Sequence, residues 1–252
     1  MLCLTTILLG EYSSDRRIAC MSDTIKTIYH GSDHIIKRPL FGFGKTGNDY
    51  GSGFYCTETL EMAKEWGVGK EKNGFANRYT IDIDGLYILN LNEPDFSVLH
   101  WLAVLLENRQ FAIGAPLARQ AREYIISNFY VDYSKADIIV GYRADDSYFS
   151  FAQDFINGTI SVRQLENAMH LGKLGQQFVV KSKAAFERIC FEGFEIADCA
   201  EWYVKRMLRD SQARKDYLDE ERYKVKPGDL FVSTIITEEM KPDDARLQQH
   251  LS

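Results

Sequence analysis

Residues 24–30, TIKTIYH, alternate polar and apolar positions and are rich in Ile and Thr, which predicts a first strand that delivers His30 at its end. Residues 32–50 carry Pro39, Gly42, Gly44, Gly47 and Asn48, the chemistry of a long connecting loop, and loops of that length usually serve a site. Gly51-Ser52-Gly53 lets a backbone pass close to a flat ligand, Phe54-Tyr55-Cys56 continues as a buried strand, and Thr59 is placed to cap a helix ending at Trp66. A polar link then runs through Gly67 to Asn77. Tyr79, Ile81 and Ile83 alternate on one side before Leu86-Tyr87-Ile88-Leu89, so residues 78–91 read as two strands around Asp84-Gly85.

Residues 96–108 and 117–129 are apolar at helical spacing, the second started by Pro116, and together they read as a helical insertion packed on the sheet. Residues 136–141 form a short apolar strand, 147–156 an aromatic-rich helix, and 161–171 a helix capped by Ser161. Gly172 and Gly175 break the chain before a strand at 176–181, and Ser182 caps a helix over 182–190. Residues 197–223 predict a long charged helix in which Trp202, Met207, Leu208 and Tyr217 supply a narrow apolar stripe. Residues 229–237 read as a last strand, and the polar tail from Glu238 as frayed.

The chain has 252 residues, 45% hydrophobic and 26% charged, which suffices for one substantial core, or one core with a helical annex. A net charge of -6 argues against a broadly basic face that grips nucleic acid through its phosphates, while a local basic groove stays compatible with it. Cys3, Cys20, Cys56, Cys190 and Cys199 form an odd set without a C-x-x-C pair, so neither a disulfide framework nor a zinc site is expected, and a reducing, cytoplasmic setting fits best. The first residues hold an apolar run with no preceding Lys or Arg and no Ala-x-Ala-like site after it, and Met21-Ser22-Asp23 reads as a start. Residues 1–21 are therefore expected to be a non-native or disordered extension, 22–195 the main domain, and 196–252 a C-terminal helical extension with a final strand, packed on that domain. No stretch approaches a membrane span.

The order His30-Gly31-Ser32, then Gly51-Ser52-Gly53-Phe54-Tyr55, then Trp66 resembles the NAD-binding half of the ADP-ribosyltransferase superfamily. It is similar to the branch containing diphtheria toxin and the poly(ADP-ribose) polymerases, whose signature is His, Tyr, Glu. It also looks like an uncharacterised prokaryotic family of that clan, in which a DFGxGFY-like segment precedes a QYVF-like strand; here residues 50–55 and Gln177-Phe178-Val179-Val180 occupy those places. The resemblance runs over residues 25–189 and rests on these three motifs. It implies an α+β fold with a split, twisted antiparallel β core, helical insertions, and NAD in a central cleft. The implied activity is mono-ADP-ribosyl transfer from NAD, as substrate, to a macromolecular acceptor, protein or nucleic acid. The implied setting is a bacterial toxin or phage-defence effector with an antitoxin or regulatory partner, and no metal.

By the same resemblance His30, Tyr55 and Gln177 are the catalytic set. His30 would bond an adenosine-side ribose hydroxyl, the Gly31 backbone would hold the nicotinamide carboxamide, and Ser32 would touch a ribose or phosphate. Tyr55 and Trp66 would stack on the nicotinamide, with Gly53 and Ala63 completing the dinucleotide site. A lone His, Tyr or Trp in a strand or helix is also commonly a core residue, so it is the ordered set that carries the reading. The third position departs from the branch. Gln177 stands where Glu is usual; an amide can still bond the ribose 2'-hydroxyl, but it has no charge for an oxocarbenium ion and cannot act as a base. Asp145 and Asp146, or Glu58, are candidates for a carboxylate; capping of the helix that follows is the favoured reading of Asp145 and Asp146, and a solvated first-turn residue that of Glu58. His34 lies four residues after His30 without a third ligand, so a metal pair is not expected. The loop from Gly172 to Gly175 suits either acceptor contact or a plain turn. NAD hydrolysis, and a catalytically silent module that binds NAD, ADP-ribose or a partner, are the competing functions.

Overall fold

The computed structural model describes residues 24–144, 147–173 and 175–248. The strands are β1 (Ile25–Ser32), β2 (Phe54–Cys56), β3 (Gly74–Asp82), β4 (Ile88–Asn90), β5 (Ile138–Gly141), β6 (Gln177–Val180) and β7 (Ile189–Ala197). The helices are α1 (Leu60–Gly67), α2 (Val98–Asn108), α3 (Pro116–Phe129), α4 (Ser147–Ile156), α5 (Val162–His170), α6 (Lys183–Phe186), α7 (Cys199–Asp216), α8 (Val232–Thr237) and α9 (Ala245–Gln248). The architecture is α+β. One antiparallel sheet has the order β1-β3-β7 and a second has the order β2-β6-β5-β4. The second sheet is mixed rather than antiparallel throughout, because β4 runs parallel to β5.

Two strands flank Asp84-Gly85 as expected, but they belong to different sheets and do not pair with each other. Gly85 adopts φ +67, and the chain there leaves the first sheet for the second. Tyr87 exchanges hydrogen bonds with Asp137 instead: its N–H donates to the Asp137 carboxylate at 2.8 Å and its carbonyl accepts from the Asp137 N–H at 2.9 Å. The link read as polar up to Asn77 already belongs to β3 from Gly74. The helix expected over 182–190 stops at Phe186, and residues 189–197 form β7, an edge strand paired only with β3. Its alternation is blurred because most of its side chains stay exposed or half-buried. Thr59 sits at the N-cap of α1 but makes no capping hydrogen bond, whereas Ser161 and Ser182 do cap α5 and α6.

The larger core is built on α2, whose Leu99, Trp101, Leu102, Ala103, Val104, Leu105 and Leu106 are all fully buried, so it reads as apolar all round rather than as an amphipathic surface helix. A smaller cluster, with Ile28, Phe54, Cys56, Tyr79, Ile138, Phe178 and Val180, lies between the two sheets. Residues beyond 195 join the larger core, so the expected boundary falls inside β7. The expected last strand is the helix α8: its β-branched residues favour extended backbone, yet Val232 and Ile235 at helical spacing enter the core, and burial overrides propensity. Nor is the described part of the tail frayed. Met240 and Leu247 are buried, and the Tyr124 hydroxyl donates to the Met240 carbonyl at 3.0 Å.

Helix α1 lies directly against β1, and Gly31 makes that approach possible. A Cβ at Gly31 would overlap the Ala63 carbonyl oxygen and sit 2.7 Å from the Gly67 nitrogen, backbone atoms that cannot rotate away. Gly31→Ala is therefore expected to cost about 2–3 kcal/mol and roughly 5–10 °C in Tm. At Gly47 a Cβ would meet open space, so Gly47→Ala should leave thermal denaturation essentially unchanged; equal melting of the two variants would refute this account of Gly31.

Candidate functional site

The two sheets meet where Tyr29 and Thr57 exchange backbone hydrogen bonds of 2.7 and 2.9 Å. The next residue along β1 is His30, and two residues back along β2 is Tyr55. His30 Nδ1 lies 2.7 Å from the Tyr55 carbonyl oxygen. A carbonyl can only accept, so Nδ1 carries the proton and the neutral ring keeps Nε2 as an acceptor. Burial lowers the His30 pKa, against a smaller opposite effect of the Tyr55 hydrogen bond. The ring packs on Phe54 with centroids 4.5 Å apart, which fixes its plane.

Tyr55 pairs with Val179 of β6. Its hydroxyl donates to the Gly51 carbonyl at 2.7 Å and accepts from the Tyr50 N–H at 3.0 Å, so it is committed to the preceding turn and the ring is the part left for a ligand. Lys181 holds that turn: its ammonium donates to the carbonyls of Tyr50 and Ser52, each at 2.5 Å. Burial lowers the Lys181 pKa. The glycines of the turn serve this packing. A Cβ on Gly53 would lie 2.7 Å from Val179 Cγ1, and one on Gly51, whose φ is +70, would lie 2.7 Å from Asn108 Oδ1. The close approach read from Gly51-Ser52-Gly53 is therefore to β6, Lys181 and Asn108, although Gly53 also reaches the cavity wall.

His30, Gly31, Gly53, Tyr55, Trp66 and Gln177 line one open cavity of about 650 Å³. Two of the other expected site residues do not. Ser32 donates through Oγ to the His34 carbonyl at 2.5 Å and accepts from Asn77 Nδ2 at 3.1 Å, so its hydroxyl shapes the loop entry. Ala63 is fully buried beneath Gly31. Asp145 and Asp146 lie outside the described residues. The Ser147 N–H at the start of α4 is met by Asp210 of α7 at 3.3 Å. Glu58 is exposed and ion-paired with Lys26 at 3.4 Å, and His34 pairs with Asp33 at 2.7 Å. No metal-binding cluster occurs among the described residues.

Four cationic cavity residues escaped sequence reading, because they come from three separate segments and none belongs to a motif. Lys37 and Arg38 come from the β1–β2 loop, Arg109 from the end of α2, and Arg143 from the segment after β5. The Arg143 guanidinium lies 3.7 Å from the centre of the Trp66 ring. Its backbone neighbour is anchored: the Tyr142 carbonyl accepts from the Tyr50 hydroxyl at 2.5 Å and from Trp101 Nε1 at 3.1 Å. Asp49 is the cavity's one carboxylate among the described residues, and it is already bound by Arg109 Nη1 and by the Ala144 N–H, each at 2.9 Å. Burial raises its pKa, and those partners oppose the rise. Gln177 is only 7% exposed and, among the described residues, its Oε1 has no hydrogen-bond partner, nor has Trp66 Nε1. The cavity thus combines aromatic faces, a neutral imidazole, an unused buried donor and acceptor, and an excess of cations. That set suits a planar, polar ligand bearing negative charge.

Residues 26–191 match the family described as "Protein of unknown function (DUF3990)", and no curated protein and no solved structure matches the chain. The matched stretch covers well over half of the sequence and contains every residue that lines the cavity. The chain belongs to the DUF3990 family.

Proposed function

We propose that the cavity binds NAD and that the protein transfers ADP-ribose from it to a macromolecular acceptor, on an ADP-ribosyltransferase-like scaffold. The observation that carries this reading is that His30, Tyr55, Trp66 and Gln177, three motifs scattered along the chain, line one cavity. The aromatic faces of Tyr55 and Trp66 suit a nicotinamide ring, and His30 Nε2 suits a ribose hydroxyl. Gln177 Oε1, buried and without a partner, suits the 2'-hydroxyl beside the reacting carbon. The cations Arg109 and Arg143 suit the pyrophosphate.

In the reaction the bond between the ribose C1' and the nicotinamide nitrogen breaks, and its electron pair leaves with nicotinamide, which becomes neutral. Positive charge spreads over C1' and the ring oxygen until a lone pair of the acceptor forms the new bond and the acceptor's proton passes to solvent. The chain's part is to hold the donor in a strained pose and to orient acceptors beside the ribose. Gln177 orients without adding charge, and Asp49 is neutralised by Arg109, so the acceptor must be nucleophilic without a protein base. NAD hydrolysis is the same chemistry with water in the acceptor's place. A second reading, nucleotide binding without turnover, draws on the Arg143 guanidinium stacked on Trp66, since a cation there opposes a cationic transition state.

Two measurements test these roles. Tyr55→Ala and Gln177→Ala are each expected to lower nicotinamide release from NAD by roughly 100-fold or more; full activity in Gln177→Ala would remove that residue from the mechanism, and NAD binding by the wild type without nicotinamide release under any acceptor would decide for the silent module. In the NMR titration of the imidazoles, His30 is expected as the Nδ1–H tautomer with a pKa below the ordinary 6.5. Unfolding then takes up a proton between the two values, so His30's share of stability is present above pH 6.5 and is lost as pH falls through its folded pKa. A His30 that titrates above 6.5 would contradict the acceptor role.

A further inference from the structure

The loop between β1 and β2 carries an apolar surface that the fold does not use. Leu40, Phe41 and Phe43 are 59%, 56% and 84% exposed. Phe41 touches the edge of Phe186, with centroids 5.6 Å apart. Gly42 and Gly44 flank Phe43; Gly42 faces open space, whereas Gly44 packs on Gly53, where a Cβ would lie 2.5 Å from the carbonyl oxygen. The middle of the same loop is basic: between Asp33, paired with Lys72, and Asp49, paired with Arg109, residues 34–48 hold Lys37, Arg38 and Lys45 and no Asp or Glu, in a chain whose net charge is -6. All three cations are exposed, and among the described residues none has a carboxylate at ion-pair distance. Several cations elsewhere are paired, as in Lys72–Asp33, Lys64–Glu195, Arg163–Asp229 and Arg209–Glu65.

Exposed aromatic rings between unpaired cations complement a polyanion that presents flat apolar faces, and a single-stranded nucleic acid is such a chain. A duplex hides its base faces in the stack. An anionic bilayer would also meet the cations and the apolar side chains, but Lys37, Arg38, Leu40 and Phe43 line the cavity mouth, and a membrane seated there would cover it. We propose that this loop is the docking surface for a single-stranded nucleic acid, which is the acceptor for the donor held in the cavity. The proposal rests on the donor reading of that cavity. The strand's base nitrogen or sugar hydroxyl would supply the lone pair to C1' as nicotinamide departs, and its proton would go to solvent. The acidic balance of the whole chain is no obstacle, because this local basic surface needs only a few phosphates.

The test is fluorescence anisotropy with labelled single-stranded RNA and DNA of about 12 nucleotides, without NAD, beside separate measurements of NAD binding and nicotinamide release. The full chain should bind the single strands in preference to the duplex, with log K falling against log salt at a slope of about -2. Phe41→Ala should weaken binding about ten-fold, and Lys45→Gln should reduce the slope by about 0.7. Neither residue lines the cavity, so NAD binding should be unchanged in both, which also shows that the variants are folded. Equal binding of single strand by wild type and both variants, equal binding of the duplex, or displacement of the oligonucleotide by anionic vesicles or an acidic peptide would overturn the proposal. Turnover of NAD with no oligonucleotide binding would sink it alone, whereas oligonucleotide binding without any NAD binding would sink the donor reading and leave the docking surface standing.

Discussion

Two backbone hydrogen bonds, between Tyr29 and Thr57, hold the candidate site together. Neither sheet contains the site. The first brings His30 and Gly31, the second brings Tyr55 and Gln177, and the seam sets the first beside the second. A backbone pair of this kind contributes only about 1 kcal/mol to stability, so its importance is one of register: a slip of one residue would turn His30 to the opposite face of β1. The His30 contact with the Tyr55 carbonyl reinforces that register and selects the imidazole tautomer at the same time.

Around the seam, polar groups are spent on backbone rather than on one another. Lys181 binds two carbonyls of the glycine turn, Tyr55 uses its hydroxyl on the same turn, and Tyr50 reaches across to the Tyr142 carbonyl. The result is a rigid wall whose exposed part is aromatic. Buried polar side chains normally find partners, and here Gln177 Oε1 and Trp66 Nε1 have none among the described residues. Both belong to cavity residues. The positive character of that cavity is equally local, since it develops within an acidic chain and depends on arginines delivered by the end of α2 and the segment after β5.

The C-terminal segment is part of this support. Arg209 of α7 binds the largely buried Glu65 of α1 at 2.8 Å, and Asp210 receives the Ser147 hydroxyl at 2.5 Å. Through these contacts α7 braces both the helix that carries Trp66 and the helix that follows Arg143. Tyr217 stacks on Phe151 with centroids 4.1 Å apart, which draws the end of the long helix into the same core.

The motif residues were legible in the chain because they are local: a strand ending in His-Gly-Ser, a glycine turn leading into Phe-Tyr, and a helix ending in Trp are each set by short-range pattern. Helices with a strong apolar period or a good cap, such as α2, α3 and α5, could be read in the same way. What the chain could not reveal depends on which distant segment covers which. The strand β7 is an edge with weak alternation, α8 has strand-like residues that burial bends into a helix, and the parallel pairing of β4 with β5 arises from contacts across the sheet. Asp49, Arg109 and Arg143 follow the same rule: no spacing in sequence links them, and only the packing of α2 and the two sheets brings their charges to one cavity. Local periodicity thus decided the elements and the aromatic and imidazole groups, while long-range burial decided the charge around them and the role of the glycines.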